Sequence, residues 1–306
     1  MSSVTVVGAG VIGLSVAHEL AAAGHHVQVL ADRPATRSVS AVAAAIWFPH
    51  DVHRSPEVLS SAAVTYRRFS ELAGDPATGV AMRPGTVIVR RADADTSWTR
   101  AIPSWARTAA GVRCTVPLIQ TDVYLGWLRA AVLALGVRID TVSVSSVSSI
   151  LDGADAVVVA AGLGSAALLG DDDAFPIRGQ VVRLANPGIT EWFTDEDNPE
   201  GLTYVVPRAG DVVCGGTGET GSWDEIPDPL IEAAILRRVC ALVPELEGQP
   251  VLSRAAGLRP ARSSVRVEAV PGHGRPVFAC YGHGGAGFTL SWGDAARIAS
   301  LVAAVG

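Results

Sequence analysis

The 306-residue sequence predicts an α/β protein in two units, a parallel sheet carrying a dinucleotide-binding turn and a second, mixed or antiparallel β-sheet. Three observations predict it: the segment Val4 to Arg33, the change of texture after it, and a second glycine-rich turn near the C-terminus. In the first segment a short β-branched strand (Val4, Thr5, Val6, Val7) runs into Gly8, Gly10 and Gly13. An apolar helix then extends to Ala23, the chain turns at Gly24, and a second strand ends in Asp32. Strand, GxGxxG, helix, strand and acid in that order form a dinucleotide-binding βαβ half-unit. Gly8 permits the tight turn, Gly10 lets backbone approach the pyrophosphate, and Gly13 lets helix pack on strand, with Ala9, Val11 and Ile12 completing the turn. The helix N-terminus offers unpaired N–H groups and a positive dipole end. Asp32 would accept from the adenosine ribose hydroxyls.

Beyond this unit proline and aromatic residues become more frequent, and the chain departs from a repeated βαβ array. Pro56 to Ala73 has helical spacing, while Thr86 to Arg90 and Val112 to Pro117 read as strands. Thr121 to Leu135 reads as an amphipathic helix, with Thr121 as N-cap and Gly136 as its stop, that returns the chain to the nucleotide unit. Val137 to Val144 and Ala156 to Ala161 are β-branched runs. The second ends in Ala160-Ala161-Gly162-Leu163-Gly164, as a further parallel strand would. Gln180 to Leu184, Leu202 to Val206 and Asp211 to Cys214 alternate as antiparallel strands that would floor a substrate site. A helix from Pro229 to Leu242, a loop from Pro244 to Pro250, a strand from Val277 to Tyr281 and a closing helix from Leu290 to Val302 follow. The acidic stretches Asp171 to Asp173 and Thr194 to Glu200 read as solvated loops. These elements divide the chain into a discontinuous nucleotide unit (1–46, 120–172, 260–306) and a substrate unit (47–119, 173–259).

Composition narrows the chemistry. All 24 basic residues are arginine. Without lysine there is no pyridoxal Schiff base, phosphate-loop lysine or lysine general base. A net charge of −6 with dispersed arginines argues against a nucleic-acid surface. No apolar stretch reaches the roughly 18 residues of a membrane span. Cys114, Cys214, Cys240 and Cys280 form no CxxC, so buried thiols are expected rather than a disulfide framework or zinc site, and no metal is expected. The first strand follows the initiator methionine without a cleavable leader, which predicts a cytoplasmic location.

The second glycine turn, Gly282-His283-Gly284-Gly285-Ala286-Gly287-Phe288-Thr289, also lies between a strand and a helix. Such a turn points backbone N–H groups and a helix dipole at an anionic group. With a dinucleotide site far upstream, it suits the pyrimidine edge of a flavin ring; a phosphate nest or a plain tight turn is the alternative.

At this point the chain resembles the D-amino-acid oxidases, FAD enzymes of the glutathione-reductase-like class. The resemblance runs nearly end to end. It rests on GAGVIGLS at 8–15, Ala31-Asp32-Arg33, VAAAIWFP at 42–49, Tyr204-Val205-Val206-Pro207, GLRPARSSVRVE at 257–268 and YGHGGAGFTLSWG at 281–293. It implies a Rossmann-type FAD-binding domain beside a mixed or antiparallel substrate domain, and FAD held non-covalently. The lysine that related sarcosine-oxidase-type enzymes place near the flavin is absent here. By the same resemblance Asp32, Arg33, Ser40, Ala45, Ile46, Val144, Gly284, Gly285, Ala286, Gly287, Phe288 and Thr289 fall where the family touches FAD.

Three residues match the family's catalytic positions. Arg259 matches the arginine whose planar fork clamps the substrate carboxylate, Tyr204 the tyrosine that bonds the same group, and the Gly285 carbonyl the acceptor for the amino group. Read alone, an arginine before proline is also a structural cap and a lone tyrosine a core residue. The implied reaction is hydride loss from the α-carbon to FAD, giving an imino acid that hydrolyses to a 2-oxo acid and ammonia, with O2 reduced to hydrogen peroxide. No protein base is implied. His50 replaces the tyrosine usual in neutral-substrate enzymes and keeps a D-aspartate oxidase open. An acidic lid, with Arg208 the nearest cation, and Trp47, Phe48 and Val206 as apolar walls favour neutral D-amino acids. The lid, Thr194 to Gly201, is shorter than the mammalian pattern and predicts a more open site. A D-amino-acid dehydrogenase and a non-catalytic flavin-binding protein are the other readings. The resemblance leaves a homodimer open, and Ala304-Val305-Gly306 is not the peroxisomal tripeptide of eukaryotic relatives.

Overall fold

The computed structural model describes residues 1–50 and 52–305, so Gly306 at the end of the C-terminal tripeptide lies outside the described residues. The nucleotide half is built on β1 (Ser3–Val7) and β2 (His26–Ala31), joined by α1 (Val11–Ala22). A short α2 (Val39–Val42) leads to α3 (Pro56–Leu72), β3 (Val80–Ile88), β4 (Trp105–Arg107) and β5 (Gly111–Ile119). The chain returns through α4 (Thr121–Ala134) to β6 (Arg138–Thr141), β7 (Ala156–Val159) and α5 (Gly164–Leu169). Next come β8 (Phe175–Ala185), β9 (Trp192–Asp195), β10 (Thr203–Pro207), β11 (Asp211–Gly215), β12 (Glu219–Thr220) and α6 (Pro229–Leu242). The long β13 (Val251–Val270), β14 (Val277–His283) and α7 (Gly287–Ala303) close the chain.

The strands join in one sheet in the order β4-β5-β3-β9-β10-β11-β8-β13-β14-β7-β1-β2-β6, with β12 beside β8. From β14 to β6 every pairing is parallel, and this wing reads as nearly continuous β-branched runs such as Val157-Val158-Val159 because both of its faces are covered. The opposite wing is antiparallel apart from the β3–β9 pair. β13 pairs with β8 on one side and β14 on the other, with a register shift between Ala261 and Arg266, and so carries the chain from one wing to the other. Periodicity does not reveal it, because Gly257, Pro260 and the arginines at 254, 259, 262 and 266 break its alternation.

Two helix starts show how local chemistry sets the frame. Ser55 caps α3, its Oγ accepting from the Val58 amide at 3.3 Å, with Pro56 in the first turn. For α4 the expected Thr121 cap is corrected: Gln120 is the N-cap, and Thr121 Oγ1 donates to the Ala41 carbonyl at 3.1 Å. That hydroxyl ties α4 to the 38–45 segment instead of satisfying the helix end. In α7, the Trp292 indole N–H donates to Tyr124 Oη of α4 at 3.0 Å. Cys114, Cys214 and Cys280 are buried free thiols and Cys240 is half-buried; burial pushes Cys114 and Cys214 up to about 12, which leaves them inert.

The expected solvated loops hold in part: the turn at 196–200 is largely exposed, whereas Asp195 and Asp171 are not. Asp195 is wholly buried at the end of β9, with Arg90 Nε donating to its two oxygens at 2.9 and 3.0 Å. Asp171 accepts from Arg262 Nε at 2.7 Å and from the Tyr281 hydroxyl, which in turn accepts from Arg266 at 2.9 Å. Arginines more than ninety residues away in sequence convert these two carboxylates into internal braces. Burial raises the Asp171 pKa, but its hydrogen bonds from Arg262 and Tyr281 outweigh this and bring it to about 2. With the folded pKa depressed, its stabilisation is present above about pH 4 and lost as pH falls through 2. An Asp171→Asn variant should lose roughly 2 kcal/mol at neutral pH, a gap that shrinks by about half at pH 3. Urea midpoints of the flavin-loaded protein at the two pH values measure it; equal gaps would show that ionised Asp171 is not the source.

Candidate active site

A cavity of about 730 Å³ opens along the sheet. Its walls run from Asp32 and Arg33 at the end of β2, past both glycine turns, to Arg259 on β13 and Tyr204 on β10. Of the residues predicted to hold the dinucleotide, Gly8, Ala9, Gly10, Val11, Ile12, Asp32, Arg33, Ser40, Ala45, Ile46, Val144, Gly284, Gly285, Gly287 and Phe288 line it. Gly13, Ala286 and Thr289 do not.

The glycines of the first turn are there for space. Gly8 takes φ 113°, and a Cβ on it would lie 2.3 Å from the Ala160 carbonyl oxygen. A Cβ on Gly13 would lie 1.9 Å from the Gly8 carbonyl oxygen, so Gly13 acts behind the wall by letting α1 sit against the turn. Val11 and Ile12 in the first turn of α1 line the cavity, the Val11 amide donating to Ser40 Oγ at 3.1 Å and the next amides being the helix's open N–H groups. Arg33 Nη2 donates to Asp32 at 2.7 Å, and this hydrogen bond outweighs partial burial to hold the Asp32 carboxyl below its usual range, so an ionised acceptor faces the expected ribose position.

The segment 38–48 forms the next wall. Ala45 sits at φ 55°, an uncommon conformation for a residue with a Cβ, and its carbonyl accepts from Ile119 N at 2.8 Å. Arg208 braces this same segment, donating to the carbonyls of Ala43 at 2.9 Å and Ala44 at 3.2 Å. Burial pulls Arg208 down to about 10. The expectation that Arg208 is the cation for a substrate side chain is therefore corrected: it is off the cavity wall and holds backbone. Thr289 Oγ1 donates to the Phe48 carbonyl at 2.8 Å and accepts from the Phe48 amide at 3.0 Å, which fixes Phe48 on the wall. Trp47 points the other way, its indole N–H on the Ala62 carbonyl at 2.9 Å and its ring edge-on to Tyr66. Val206 packs in the main core beyond the cavity's end. Of the three expected apolar walls, only Phe48 is one.

Tyr204 and Arg259 are brought together by a patch of bare backbone. β10 pairs with β11, β11 with β8 and β8 with β13, and the neighbouring positions under the two side chains are glycines. A Cβ at Gly215 would lie 2.1 Å from Tyr204 Cζ, and one at Gly179 would lie 2.5 Å from Arg259 Nη2. Both side chains therefore lie flat across the sheet, and Arg259 Nη1 donates to the Thr217 carbonyl at 2.8 Å. His50 packs on Gly285, where a Cβ would come within 2.6 Å of its ring.

Sequence reasoning missed Thr194, Glu196 and His283, all on the wall. Thr194 pairs directly with Tyr204 across β9 and β10, and its buried Oγ1 has no partner among the described residues. Glu196 follows two positions on and pairs with His50 Nδ1 and Arg54. Thr194 belongs to β9, which the sequence read as a loop, and Glu196 lies in the turn just after it. His283 Nε2 pairs with buried Asp294 at 3.1 Å, and Asp294 accepts from Ser61 Oγ at 2.6 Å, which stiffens the second glycine turn from behind. The lid segment is likewise fastened, through Arg90 to Asp195, Arg91 to Asp197 and Arg237 to Glu200.

A βαβ turn with its acid, a second glycine turn and an arginine–tyrosine pair around one cavity define a dinucleotide-binding protein. The glycine cradle, the open helix end and the orphan Thr194 hydroxyl fit an extended dinucleotide and a small polar ligand. The chain belongs to the FAD dependent oxidoreductase family, whose profile matches residues 3–117 and 109–301. A D-amino-acid oxidase of Rubrobacter xylanophilus is 44% identical over 98% of this chain and 95% of its own. One of Streptomyces coelicolor is 39% identical, covering 97% and 96%. The crystal structure of glycine oxidase from Geobacillus kaustophilus, 21% identical, shares the fold with a TM-score of 0.81 over 99% of this chain and 95% of that one. FAD is the cofactor of this family. Among the described residues no helix is long and apolar enough to cross a membrane, and no cluster of side chains is arranged to hold a metal.

Proposed function

We propose that this chain oxidises D-amino acids to 2-oxo acids, ammonia and hydrogen peroxide, with FAD bound non-covalently and O2 as acceptor. The observation that carries the reading is the convergence of Arg259 and Tyr204 beside the second glycine turn in the cavity that the GxGxxG turn also lines. Bound FAD supplies the acceptor for the hydrogen and two electrons lost from the substrate α-carbon. Arg259 presents its guanidinium to the carboxylate as a planar fork, and the Tyr204 hydroxyl gives the same group a further hydrogen bond. The Gly285 carbonyl accepts from the amino group. Three fixed points leave the α-carbon one orientation, so positioning does the work and no side chain is needed to remove the α-hydrogen. Water then hydrolyses the released imino acid.

The nucleotide unit (1–46, 120–172, 260–306) holds the cofactor and the substrate unit (47–119, 173–259) the amino acid. Neutral side chains are preferred to acidic ones, since beside Phe48 the described residues of the wall offer no arginine other than Arg259, which the α-carboxylate occupies. Four unpaired thiols suit a reducing cytoplasm. Mixing the purified protein with D- and L-isomers without oxygen tests the reading: the flavin band should bleach with D-isomers alone, and peroxide should appear in air. Bound flavin that no D-amino acid bleaches would sink the proposal.

A further inference from the structure

Resting on the amino-acid reading above, we propose that Glu196 sets side-chain specificity, holding the cationic head of basic D-amino acids and turning acidic ones away. Glu196 is on the cavity wall with Phe48, His50 and Thr194, and its side chain keeps about a third of its surface open. The wall's other charges do not balance it. Among the described residues the arginines lining the cavity are Arg259, whose fork takes the α-carboxylate, and Arg33, which is paired with Asp32 at the far end.

The nearest other cation, Arg54, is behind the wall. Its guanidinium donates to the Pro49 carbonyl at 3.2 Å, the Asp95 carbonyl at 2.9 Å and the Glu196 carboxylate at 3.3 Å, and it lies 5.5 Å from the Phe48 ring centre. Arg54 also pairs with the Asp95 carboxylate at 3.3 Å, so one guanidinium serves two carboxylates. The member of the group facing the cavity is Glu196, whose carboxylate also pairs with the His50 ring. A substrate ammonium or guanidinium placed there completes the group, and the buried Thr194 hydroxyl is a further acceptor. The methylene stem of such a side chain suits Phe48. A substrate carboxylate meets like charge there in a partly desolvated site.

Isosteric pairs test this in the holoenzyme. D-lysine adds only an ammonium to D-norleucine, and D-glutamate replaces the amide of D-glutamine with a carboxylate. The wild type should show kcat/KM about tenfold higher for D-lysine than for D-norleucine, and about a hundredfold lower for D-glutamate than for D-glutamine. In Glu196→Gln the first ratio should fall about tenfold and the second rise by a similar factor; ratios within one variant cancel any general loss of activity. Raising salt from about 0.05 M to about 0.5 M in the wild type should lower kcat/KM for D-lysine and not for D-norleucine, which needs no variant. Unchanged ratios in a variant that still oxidises D-norleucine, or a wild type that favours D-glutamate, overturn the assignment of Glu196 and leave the oxidase standing. A wild type inert to every D-amino acid overturns the oxidase itself and this proposal with it.

Discussion

Arg259→Ala is expected to lower kcat/KM for D-amino acids by about a thousandfold while FAD stays bound. The loss corresponds to about 4 kcal/mol, the scale of removing one partner from a desolvated, hydrogen-bonded charge pair. The substrate carboxylate would then face only Tyr204, and the Thr217 carbonyl would lose its donor at 2.8 Å. Arg259→Lys should recover little, because an ammonium is a single point of charge and cannot span a carboxylate from a position held flat across Gly179. The measurement is steady-state oxidation alongside the visible flavin spectrum. Turnover at the wild-type level in either variant would remove Arg259 from the site.

Gly13→Ala should have the largest effect on the cofactor. Its Cβ would lie 1.9 Å from the Gly8 carbonyl oxygen, and that oxygen belongs to backbone already confined by Ala160, so nothing flexible can yield. Helix α1 must back away from the turn, taking its open N–H groups with it. We expect a stability loss of about 2–3 kcal/mol and a FAD affinity lower by about a hundredfold, the scale on which a misplacement of about 1 Å is felt. Gly126→Ala in the exposed middle of α4 is the matched control, since its Cβ meets nothing within 4 Å and should stabilise by roughly 0.5–1 kcal/mol. Thermal melts and flavin titration of the two variants read the contrast. Equal flavin affinity in both would mean that the close approach of α1 to the turn does not build the cradle.

The local half of this molecule was legible in its residues. The βαβ unit at Val4–Arg33 has strand, turn, helix and acid contiguous, so its geometry follows from φ/ψ preference and helix packing within thirty residues. The Pro229–Leu242 helix was legible to the residue, because Asp228 caps it and Pro229 opens it. The clamp residues Arg259 and Tyr204 came from motif resemblance, and their floor of Gly179, Gly215 and Gly216 could not be seen before the strands were paired.

What failed were the positions whose partners lie far along the chain. Asp171 and Asp195 read as solvated because isolated carboxylates belong in water; distant arginines reversed that by completing their hydrogen bonds. Trp47 and Val206 read as pocket walls because they are large and apolar near the motifs, whereas the core on their other side claimed them. The sequence by itself determined the dinucleotide turn and the glycine turn at 282–289, since each depends on contacts between near neighbours. Tertiary structure alone decided which side chains face the substrate. That choice depends on strand pairing across the sheet, where Thr194 meets Tyr204, and on charge pairs closed by residues more than a hundred positions apart.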